Sequence, residues 1–373
     1  MESVARKMKQ GVEKGVFPGG VLLVQAAGRI EFFEPFGVSS IDSGEPVERS
    51  SIFDLASLTK PLATALAFSK LAEDGTVRTG QTISSIVSTF NGTDKSGVTV
   101  DQLLRHTSGL PAYRPYYETL ISHPRQERER VLHEFLKKEP LVKRPGEACV
   151  YSDIGYMILS WILREVSGMR LDRFVEKEIY TPLHSRDLFF VDRFASCSSG
   201  FVQAARDRMV ATEKCLWRQK ILSGEVHDDN AWALGGVAGH AGLFGSAEAV
   251  LKIAEEVLGA LQESRITVLN GRMIRKFAEK KGSFSHVAGF DTPSPDGRSS
   301  AGRYFSSGTI GHLGFTGTSF WIDPVSSMIV ILLTNRVHPR RENNAIRVFR
   351  PEIHDLVMER IPGKQALKRK ECK

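Results

Sequence analysis

The chain has 373 residues, of which 41% are hydrophobic and 25% are charged, so its composition is that of an ordinary globular protein. Its net charge is +7, and the last ten residues, KQALKRKECK, supply +4 of that from five basic residues and one Glu. We therefore expect a nearly balanced body and a disordered basic tail over 361–373. The sequence has no basic stripe with interleaved aromatic residues, which argues against a nucleic-acid-binding protein.

The sequence contains no recognisable targeting signal. Its first twenty residues lack the apolar core of a signal peptide, and no apolar run is long enough to span a membrane. The four cysteines have neither metal-ligand nor redox spacing. We expect a cytoplasmic protein with reduced thiols, without stable membrane insertion and without a metal or cofactor. A chain already trimmed of its signal peptide would have the same features.

In chain order, the pattern predicts a helix over 1–16 and two strands over 19–37 around a turn at Gly28. From 304 to 336 the residues alternate as strands, with turns at Asp323–Pro324 and at Asn335, and a helix closes the chain. Between these ends, apolar periodicity predicts a series of helices, over 57–75, 99–110, 123–140, 151–168, 171–183 and, after a Gly-rich loop, within 235–261.

This order predicts an α/β fold of the α+β type. An antiparallel sheet is formed by both chain ends and flanked by helices, and a mostly helical lobe is inserted between them. We expect the sheet lobe to comprise 1–55 and 235–360, and the helical lobe to comprise 56–234.

The stretch DLASLTKPLATAL, residues 54–66, places Ser57 and Lys60 three residues apart, directly before Pro61. Proline is tolerated only in the first turn of a helix, so a helix through Leu62 must begin near Ser57. Residues three apart share a helix face, so the lysine amine reaches the serine hydroxyl. Serine is a weak nucleophile unless a nearby group takes its proton, and a buried lysine with a lowered pKa is such a group. A capping serine with a surface lysine is the structural alternative.

Two further groups of residues are candidates for proton transfer. Tyr151 and Asp153 lie two apart just before a predicted helix, and a phenol near a Ser/Lys site can have a depressed pKa and relay a proton. The alternative is a structural tyrosine with Asp153 as the N-cap. In GHLGFTGTSFWIDP, a Gly-rich edge-strand pattern contains His312, which either orients substrate and relays a proton or is structural.

Four stretches occur in the order found in a known family, and together they cover most of the chain, from FPGGVLLV to LLTNRVHP. SLTK resembles the Ser-x-x-Lys motif of the serine β-lactamases and penicillin-binding proteins, and LLRHTSGLP is similar to a hallmark loop. PGEACVYSD resembles a Pro-Gly…Tyr-Ser-Asn element, and HLGFTG takes the place of the Lys-Thr-Gly strand. Within the family, the chain resembles the class C-like serine hydrolases, which implies an active site at the interface of the two lobes.

The resemblance implies a role for several residues. It makes Ser57 the nucleophile and Lys60 the base that activates it. It gives Tyr151 the task of protonating the leaving group and activating the deacylating water, alone or shared with Lys60. It implies an oxyanion hole formed by the backbone N–H groups of Ser57 and Phe315, with Gly314 in the same substrate-binding strand.

Two residues depart from the family pattern. Asp153 stands where the family has Asn, so a hydrogen-bond donor becomes an acceptor that can also tune Lys60. His312 stands where the family has Lys, which removes a permanent charge that helps to hold a substrate carboxylate. Arg336 and Arg303 are candidate replacements, with a structural salt bridge as the alternative for each. We therefore expect weak β-lactamase activity; relatives with this histidine are often esterases, amidases or peptidases.

The segment VHDDNAWALGGVAGHAGLFGS contains His227, Asp228 and His240. These side chains have no metal-ligand spacing, so we expect no metal there. The segment resembles one found in family members thought to act on peptidoglycan fragments, where it is a candidate border of the active site. A role for His240 near Ser57 is a hypothesis.

The leading hypothesis is a serine hydrolase that cleaves an ester or amide through a Ser57 acyl-enzyme, on a small-molecule, peptide or muropeptide substrate. The alternative is a catalytically silent member that binds a peptide or muropeptide, which the replacement at Asp153 favours. The sequence leaves the substrate and the oligomeric state open.

Overall fold

The two ends of the chain meet in one antiparallel sheet. The computed structural model describes residues 1–195, 200–264, 266–282, 284–294 and 299–361. From residue 362 onward the predicted tail lies outside the described residues, as do Cys197 and Cys372. The strands are β1 Gly19–Ala26, β2 Arg29–Gly37, β3 Phe53–Asp54, β4 Leu188–Phe190, β5 Lys214–Cys215, β6 Lys220–Ile221, β7 Leu243–Gly245, β8 His286–Val287, β9 Phe290–Asp291, β10 Ile310–Leu313, β11 Ser319–Asp323 and β12 Met328–Thr334.

The large sheet has seven strands in the order β2-β1-β12-β11-β10-β9-β8. At its centre β1 runs antiparallel to β12, in register from Gly20↔Thr334 to Ala26↔Met328. The predicted hairpin of β1 and β2 forms around a turn that includes Gly28, whose φ of +76° suits a residue without a side chain. An antiparallel sheet built from both chain ends and flanked by helices is therefore confirmed.

The helices fill the rest of the chain. They are α1 Glu2–Glu13, α2 Leu66–Glu73, α3 Val100–Leu104, α4 Tyr117–Leu120, α5 Arg128–Lys138, α6 Asp153–Ser167, α7 Leu171–Val175, α8 Gly200–Ala205, α9 Asp229–Ala233, α10 Ala247–Leu261, α11 Gly271–Ala278 and α12 Ile346–Arg360. Shorter turns of 3₁₀ type cover Ala56–Leu58, Ile83–Ser85, Ser88–Phe90, Arg125–Glu127 and Arg206–Arg208, and π-helical turns cover Lys60–Ala65 and Glu176–Tyr180.

Both faces of the large sheet are buried. Side chains alternate along β1, so Val21 and Leu23 contribute to the main core, which α2 and α10 complete. Leu22 and Val24 contribute to a second core on the other face, which α1 and α12 close. The sheet is thus held between helices that come from the two ends of the chain and from the insertion.

The helix predicted from Ser57 onward has three parts. The 3₁₀ turn Ala56–Leu58 leads into the π-helical turn Lys60–Ala65, and α2 follows as far as Glu73. Pro61 lies near the start of the π-helical turn, so its missing N–H falls where the backbone changes its hydrogen-bonding pattern. Lys60 still lies close to Ser57, as the spacing predicts.

Several short elements have no counterpart in the predicted pattern. β3, β7 and β4 form a small sheet, β5 and β6 form a hairpin, and β8 and β9 extend the large sheet at one edge. The partners in the small sheet are distant in sequence, as in the pair Phe53↔Gly245, whereas β5–β6 and β8–β9 are local pairs of two-residue strands. Strands this short carry no local periodicity, and tertiary pairing alone defines them. Within the described residues, no helix is both long and apolar enough to cross a membrane.

Candidate active site

Ser57 lies in a 3₁₀ turn directly after β3, and the residue before it has an unusual backbone conformation. Ala56 has a φ of +49°, in the left-handed region that non-glycine residues rarely occupy. The buried carboxylate of Asp54 holds this turn, since Oδ1 accepts the Ala56 N–H at 2.8 Å and Oδ2 accepts the His227 N–H at 2.7 Å. Strained backbone of this kind concentrates at functional sites, where the surrounding structure fixes it.

The Lys60 side chain is completely buried, and its amine meets three oxygens. Nζ lies 2.9 Å from Ser57 Oγ, 3.1 Å from the His240 carbonyl oxygen and 2.7 Å from Asp153 Oδ1. An ammonium has three N–H bonds and no lone pair, so it donates to neighbouring oxygens such as these and accepts from none of them. In the resting site Lys60 therefore donates to Ser57 and does not accept from it.

The expectation that burial lowers the pKa of Lys60 is wrong. Burial does oppose the charge, but the carboxylate of Asp153, followed by the Tyr151 hydroxyl, outweighs it, so the pKa of Lys60 is raised above its ordinary value. The cause is the residue that departs from the family pattern, because an amide side chain in place of Asp153 would carry no charge to hold the proton on the amine.

Tyr151 lies next to Lys60, with Nζ 4.8 Å from the centre of its ring. The expectation of a depressed pKa is wrong here too. Burial raises the pKa of the Tyr151 phenol, and Asp153 adds to this effect, so that the opposing influence of Lys60 and Ser57 is overcome. Tyr151 is therefore a neutral phenol at pH 7, able to donate a proton.

His106 fixes the segment that carries Tyr151, a role that the sequence pattern did not indicate. The two rings lie 4.5 Å apart, and His106 Nδ1 accepts the Ser152 N–H at 3.0 Å. The backbone of His106 is left-handed, with a φ of +59°. Burial, together with His286 and Lys60, holds the pKa of His106 well below its usual range. The ring is therefore neutral, and the accepted hydrogen bond assigns its proton to Nε2.

Ser152, and not Asp153, caps α6. Its Oγ accepts the Gly155 N–H at 3.2 Å and donates to the Pro111 carbonyl at 2.7 Å. The alternative in which Asp153 serves as the helix cap is therefore wrong. The carboxylate of Asp153 faces Lys60 instead.

β10 forms another wall of the site and contacts the turn that carries Ser57. His312 Nδ1 donates to the Leu313 carbonyl at 2.8 Å. Burial, and after it the charge of Lys60, keeps the pKa of His312 well below its usual range. A neutral imidazole thus occupies the place of the family's charged lysine.

The residues after β10 present a backbone donor. The Phe315 N–H has no hydrogen-bond acceptor within the described residues, while its carbonyl accepts Arg336 Nε at 2.7 Å. The Phe315 ring is 51% exposed and stacks on His227 at 5.7 Å between ring centres. Gly314 leaves no room for a side chain, because a Cβ there would lie 1.9 Å from Thr318 Oγ1.

The two arginines considered as replacements for the family's lysine have other contacts. Arg303 pairs with Asp355 at 2.9 Å, so the structural alternative holds for it. Arg336 does line the cleft, but its guanidinium donates to three backbone carbonyl oxygens, that of Phe315 among them. Arg336 is therefore structural, but backbone carbonyl oxygens hold it and not the salt bridge that the sequence suggested as the alternative.

A cleft of about 710 Å³ joins these groups, and the buried Lys60 lies directly behind it. The predicted residues in its lining are Ser57, Tyr151, Asp153, His312, Gly314 and Phe315. The structure therefore brings all seven predicted site residues together. Polar and aromatic residues that sequence reasoning missed also line it, namely Tyr113, Asp229, His286, Asp291, Arg341, Arg347 and Arg350.

Two of the missed residues form a titratable pair beside Tyr151. The His286 ring lies 5.9 Å from the Tyr151 ring, and His286 Nε2 lies 3.9 Å from Asp291 Oδ1. Burial raises the pKa of Asp291 to about 7 and lowers the pKa of His286 to about 4. Both belong to the short hairpin of β8 and β9, which has no recognisable motif.

His227 and His240 each pair with one carboxylate, and Asp228 is the partner of His240. His240 Nε2 lies 3.0 Å from Asp228 Oδ1, and His227 Nε2 lies 3.1 Å from Glu213 Oε2. Across the part of the chain that the structure describes, no group of three or more His, Cys, Asp or Glu side chains is placed to hold a metal ion. His240 does reach Lys60, through its backbone carbonyl and not through its ring.

The chain is similar to known proteins over most of its length. The family model described as Beta-lactamase matches residues 4–351. The chain is 32% identical over 367 residues to the N-acetylmuramyl-L-alanine amidase of Bacillus subtilis, covering 89% of this chain and 81% of that protein. It is 29% identical over 366 residues to an Escherichia coli O157:H7 protein with the provisional name D-alanyl-D-alanine carboxypeptidase, covering 91% and 82%.

A solved structure shows the same fold. The class C beta lactamase of Rhodobacter sphaeroides matches with a TM-score of 0.70 at 17% identity, over 95% of this chain and 100% of that one. The matching family and the relatives named above are hydrolases, and the family model spans most of the chain. The chain is therefore a hydrolase that belongs to the beta-lactamase family.

Proposed function

We propose that this protein hydrolyses an amide bond in peptidoglycan-derived fragments through an acyl-enzyme on Ser57. The observation that carries the proposal is the 2.9 Å contact between Lys60 Nζ and Ser57 Oγ at the base of a cleft. The substrate class follows from relatives named as an amidase and a carboxypeptidase. Small activated esters should react by the same chemistry.

For the attack, Ser57 must lose its proton to Lys60, which is already protonated in the resting site. Lys60 can accept that proton only as it gives one up, and the Asp153 carboxylate lies 2.7 Å from Nζ. We assign the base role to the Lys60–Asp153 pair. The Ser57 O–H bond breaks, Lys60 takes this proton while passing one of its own to Asp153, and Oγ bonds to the substrate carbonyl carbon.

Negative charge then develops on the substrate carbonyl oxygen. The Ser57 N–H lies at the start of its 3₁₀ turn, whose first hydrogen bond comes from Leu58 to Leu55 at 3.0 Å. Phe315 lines the same cleft, and its N–H is free of acceptors among the described residues. We assign the oxyanion hole to these two donors, each typically worth about 100- to 1000-fold in kcat.

Collapse of the intermediate requires a proton on the leaving amine. Tyr151 is a neutral phenol beside Lys60 and supplies that proton. Lys60 then donates a proton to Tyr151, and Asp153 returns its proton to Lys60. Over the two steps Ser57 loses one proton and the amine gains one, and Tyr151, Lys60 and Asp153 return to their starting protonation states. A water molecule then takes the place of the amine, and the same groups pass its proton back to Ser57 as the acid product leaves.

The cleft also offers charge for a substrate carboxylate. His312 is neutral and does not replace the family's lysine in this respect. Arg347 is exposed, lines the cleft and has no carboxylate partner among the described residues. Peptide fragments carry free carboxylates, and we infer that Arg347 binds one of them, as a charged hydrogen bond of this kind is among the stronger polar contacts.

A second candidate function has one specific observation in its favour. Because Lys60 is held in its charged form by Asp153, the resting site resembles that of a protein that binds a muropeptide without turning it over. In this alternative Asp153 keeps Lys60 protonated and so prevents it from acting as a base. In the proposed mechanism Asp153 accepts a proton from Lys60 and so allows Lys60 to take the proton of Ser57.

A substrate panel separates the two functions. We would measure kcat/KM for the wild type and Ser57→Ala on muramyl dipeptide, a D-Ala-D-Ala peptide, p-nitrophenyl acetate and a chromogenic cephalosporin. The proposal predicts turnover of at least one peptidoglycan fragment, weak turnover of the cephalosporin, and a loss of about 1000-fold or more in the variant. Equal muropeptide affinity for both proteins, with no turnover of any substrate, would support the silent binder.

A further inference from the structure

Three aromatic side chains lie in or next to the cleft, and the mechanism uses none of them: Tyr113 is part of its lining, while Trp217 and Tyr117 adjoin it through Asp229. Tyr113 lines the cleft and is 42% exposed, and Trp217 is 40% exposed. Tyr117 stacks on Trp217 with ring centres 5.4 Å apart. Contiguous exposed apolar surface beside a cleft, rimmed by polar groups, is typical of a binding site. We call Tyr113, Tyr117 and Trp217 the aromatic rim.

Partly buried hydrogen bonds to the start of α9 hold two members of the rim, Tyr117 and Trp217, in place. Asn230, at the start of α9, is fully buried. Its Oδ1 accepts the Tyr117 N–H at 2.8 Å, and its Nδ2 donates to the Arg114 carbonyl at 2.8 Å. Trp217 donates from Nε1 to Asp229 Oδ1 at 3.2 Å. Anchored rings lose little conformational entropy when a ligand binds, as suits a recognition surface.

Polar groups are interleaved with these rings. The Tyr113 hydroxyl lies within electrostatic reach of Asp153, Asp229 and Tyr117, which joins the nucleophile side of the cleft to the rim. Asp229 also pairs with Arg341 at 3.1 Å, and both line the cleft. The rim therefore combines flat apolar faces with hydrogen-bonding groups at their edges.

This combination fits a pyranose ring, which has an apolar C–H face and a border of hydroxyl and amide groups. An acyl chain would instead require a continuous apolar groove, which Asp229 and Arg341 interrupt. We propose that the rim binds the N-acetylated sugar of a muropeptide, with the sugar stacked on Tyr113 and its polar groups directed at Asp229 and Arg341. The inference rests on the proposed function.

The position of the rim also selects the scissile bond. Tyr113 and Ser57 line one cleft, so a sugar stacked on Tyr113 occupies the same cleft as the reacting carbonyl. In a muropeptide the amide nearest the sugar joins the muramyl lactyl group to the first amino acid. The rim therefore favours hydrolysis of that bond over removal of a residue from the peptide's far end.

A matched pair of substrates tests the inference. We would measure KM and kcat on N-acetylmuramyl-L-alanyl-D-isoglutamine and on N-acetyl-L-alanyl-D-isoglutamine, which lacks the sugar. Tyr113→Ala should raise KM about 3- to 10-fold for the first substrate only, since aromatic contacts of this kind are worth about 0.5–1.5 kcal/mol. Tyr113→Phe, which keeps the ring, should stay near the wild type.

The outcomes separate the rim from the catalytic proposal. An equal rise in KM for both substrates, or no rise for either, overturns the sugar subsite. A rise confined to p-nitrophenyl octanoate, relative to the acetate, identifies an acyl-chain site instead and also overturns it. Loss of p-nitrophenyl acetate hydrolysis in Ser57→Ala tests the acyl-enzyme independently of the rim.

A binding measurement covers the case in which no substrate is turned over. Calorimetric titration of the intact protein with N-acetylmuramyl-L-alanine should show binding that Tyr113→Ala weakens by a similar factor. Unchanged affinity in that variant would contradict the inference whatever the catalytic result.

Discussion

Lys60 Nζ lies 2.7 Å from Asp153 Oδ1 and 2.9 Å from Ser57 Oγ, so one buried amine joins the candidate nucleophile to a carboxylate. Breaking such a buried pair leaves one charge without compensation and changes the proton affinity of the other group. The Lys60–Asp153 pair is therefore the feature from which the pH dependence of this site should be predicted.

Replacing Asp153 by Asn tests whether the pair acts as the base. If it does, the variant must rely on a deprotonated Lys60, so its activity at pH 7 falls and the acidic limb of kcat/KM moves to higher pH. If Lys60 alone is the base, loss of the carboxylate lowers the pKa of the amine and the limb moves to lower pH. The measurement is a pH–rate profile on p-nitrophenyl acetate between about pH 4 and 10.

Replacing His106 should impair the site without touching Ser57. His106→Ala leaves the Ser152 N–H without its acceptor, which costs about 1–3 kcal/mol in free energy of unfolding; the left-handed backbone, with a φ of +59°, is already present in the wild type. The substitution should also lower kcat on every substrate, because the Tyr151 ring loses its support. Urea unfolding and kcat measure the two effects.

His106→Asn serves as the control for that prediction. Asparagine tolerates the left-handed backbone and carries an acceptor oxygen, so it should recover part of both losses. Equal losses for the two variants would show that the backbone conformation and the hydrogen bond are not what His106 contributes.

Gly314→Ala should disturb the backbone that presents the Phe315 N–H. A Cβ at this position would lie 1.9 Å from Thr318 Oγ1 and 2.7 Å from the Leu55 carbonyl oxygen, so the strand end must shift. We expect kcat to fall about 100-fold or more, with a smaller change in KM, since the lost donor acts mainly in the transition state. Steady-state kinetics on an ester decide this, and a change confined to KM would count against the assignment.

Because Asp291 is buried, we expect its carboxyl group to make the free energy of unfolding depend on pH. Its pKa is about 7 in the folded protein against an ordinary value of 3.8, so the folded state binds more protons between those pH values. The free energy of unfolding therefore falls as pH rises from about 4 to 7. Asp291→Asn removes this term and should gain stability relative to the wild type over that range, on the order of 2–4 kcal/mol by pH 7.

Urea titrations of both proteins at several pH values measure the gain. His286, with a pKa lowered to about 4, contributes in the opposite sense, because its stability term is lost as pH falls below about 6.5. It is present in both proteins, so the difference between them reports Asp291 together with its interaction with His286, whose Nε2 lies 3.9 Å from Asp291 Oδ1. A difference that does not vary with pH would mean that the carboxylate is ionised throughout.

Local patterns predicted the order of the elements and the central pair of the site. The three-residue spacing of Ser57 and Lys60 depends on neighbours within one helical turn. The protonation states of the site were mispredicted, because the charge of Lys60 depends on Asp153, which only tertiary folding brings close.

Other contributors had no local signal. His106 acts on a residue 46 positions away, and the His240 carbonyl reaches a lysine 180 positions away. Asp291 and Trp217 lie in hairpins of two-residue strands, which periodicity does not detect. Contacts of this range follow from the packing of distant segments, which single-sequence patterns do not encode.

The most direct test of the central claim is to locate the covalent adduct formed by a fluorophosphonate. Trypsin does not cleave before Pro61, so Ser57 and Lys60 lie together in the peptide SSIFDLASLTKPLATALAFSK, residues 50–70. We predict a single adduct, assigned to Ser57 by fragmentation and absent from Ser57→Ala. An adduct on Ser50, Ser51, Ser69 or any other side chain, or one that persists in Ser57→Ala, would contradict the account.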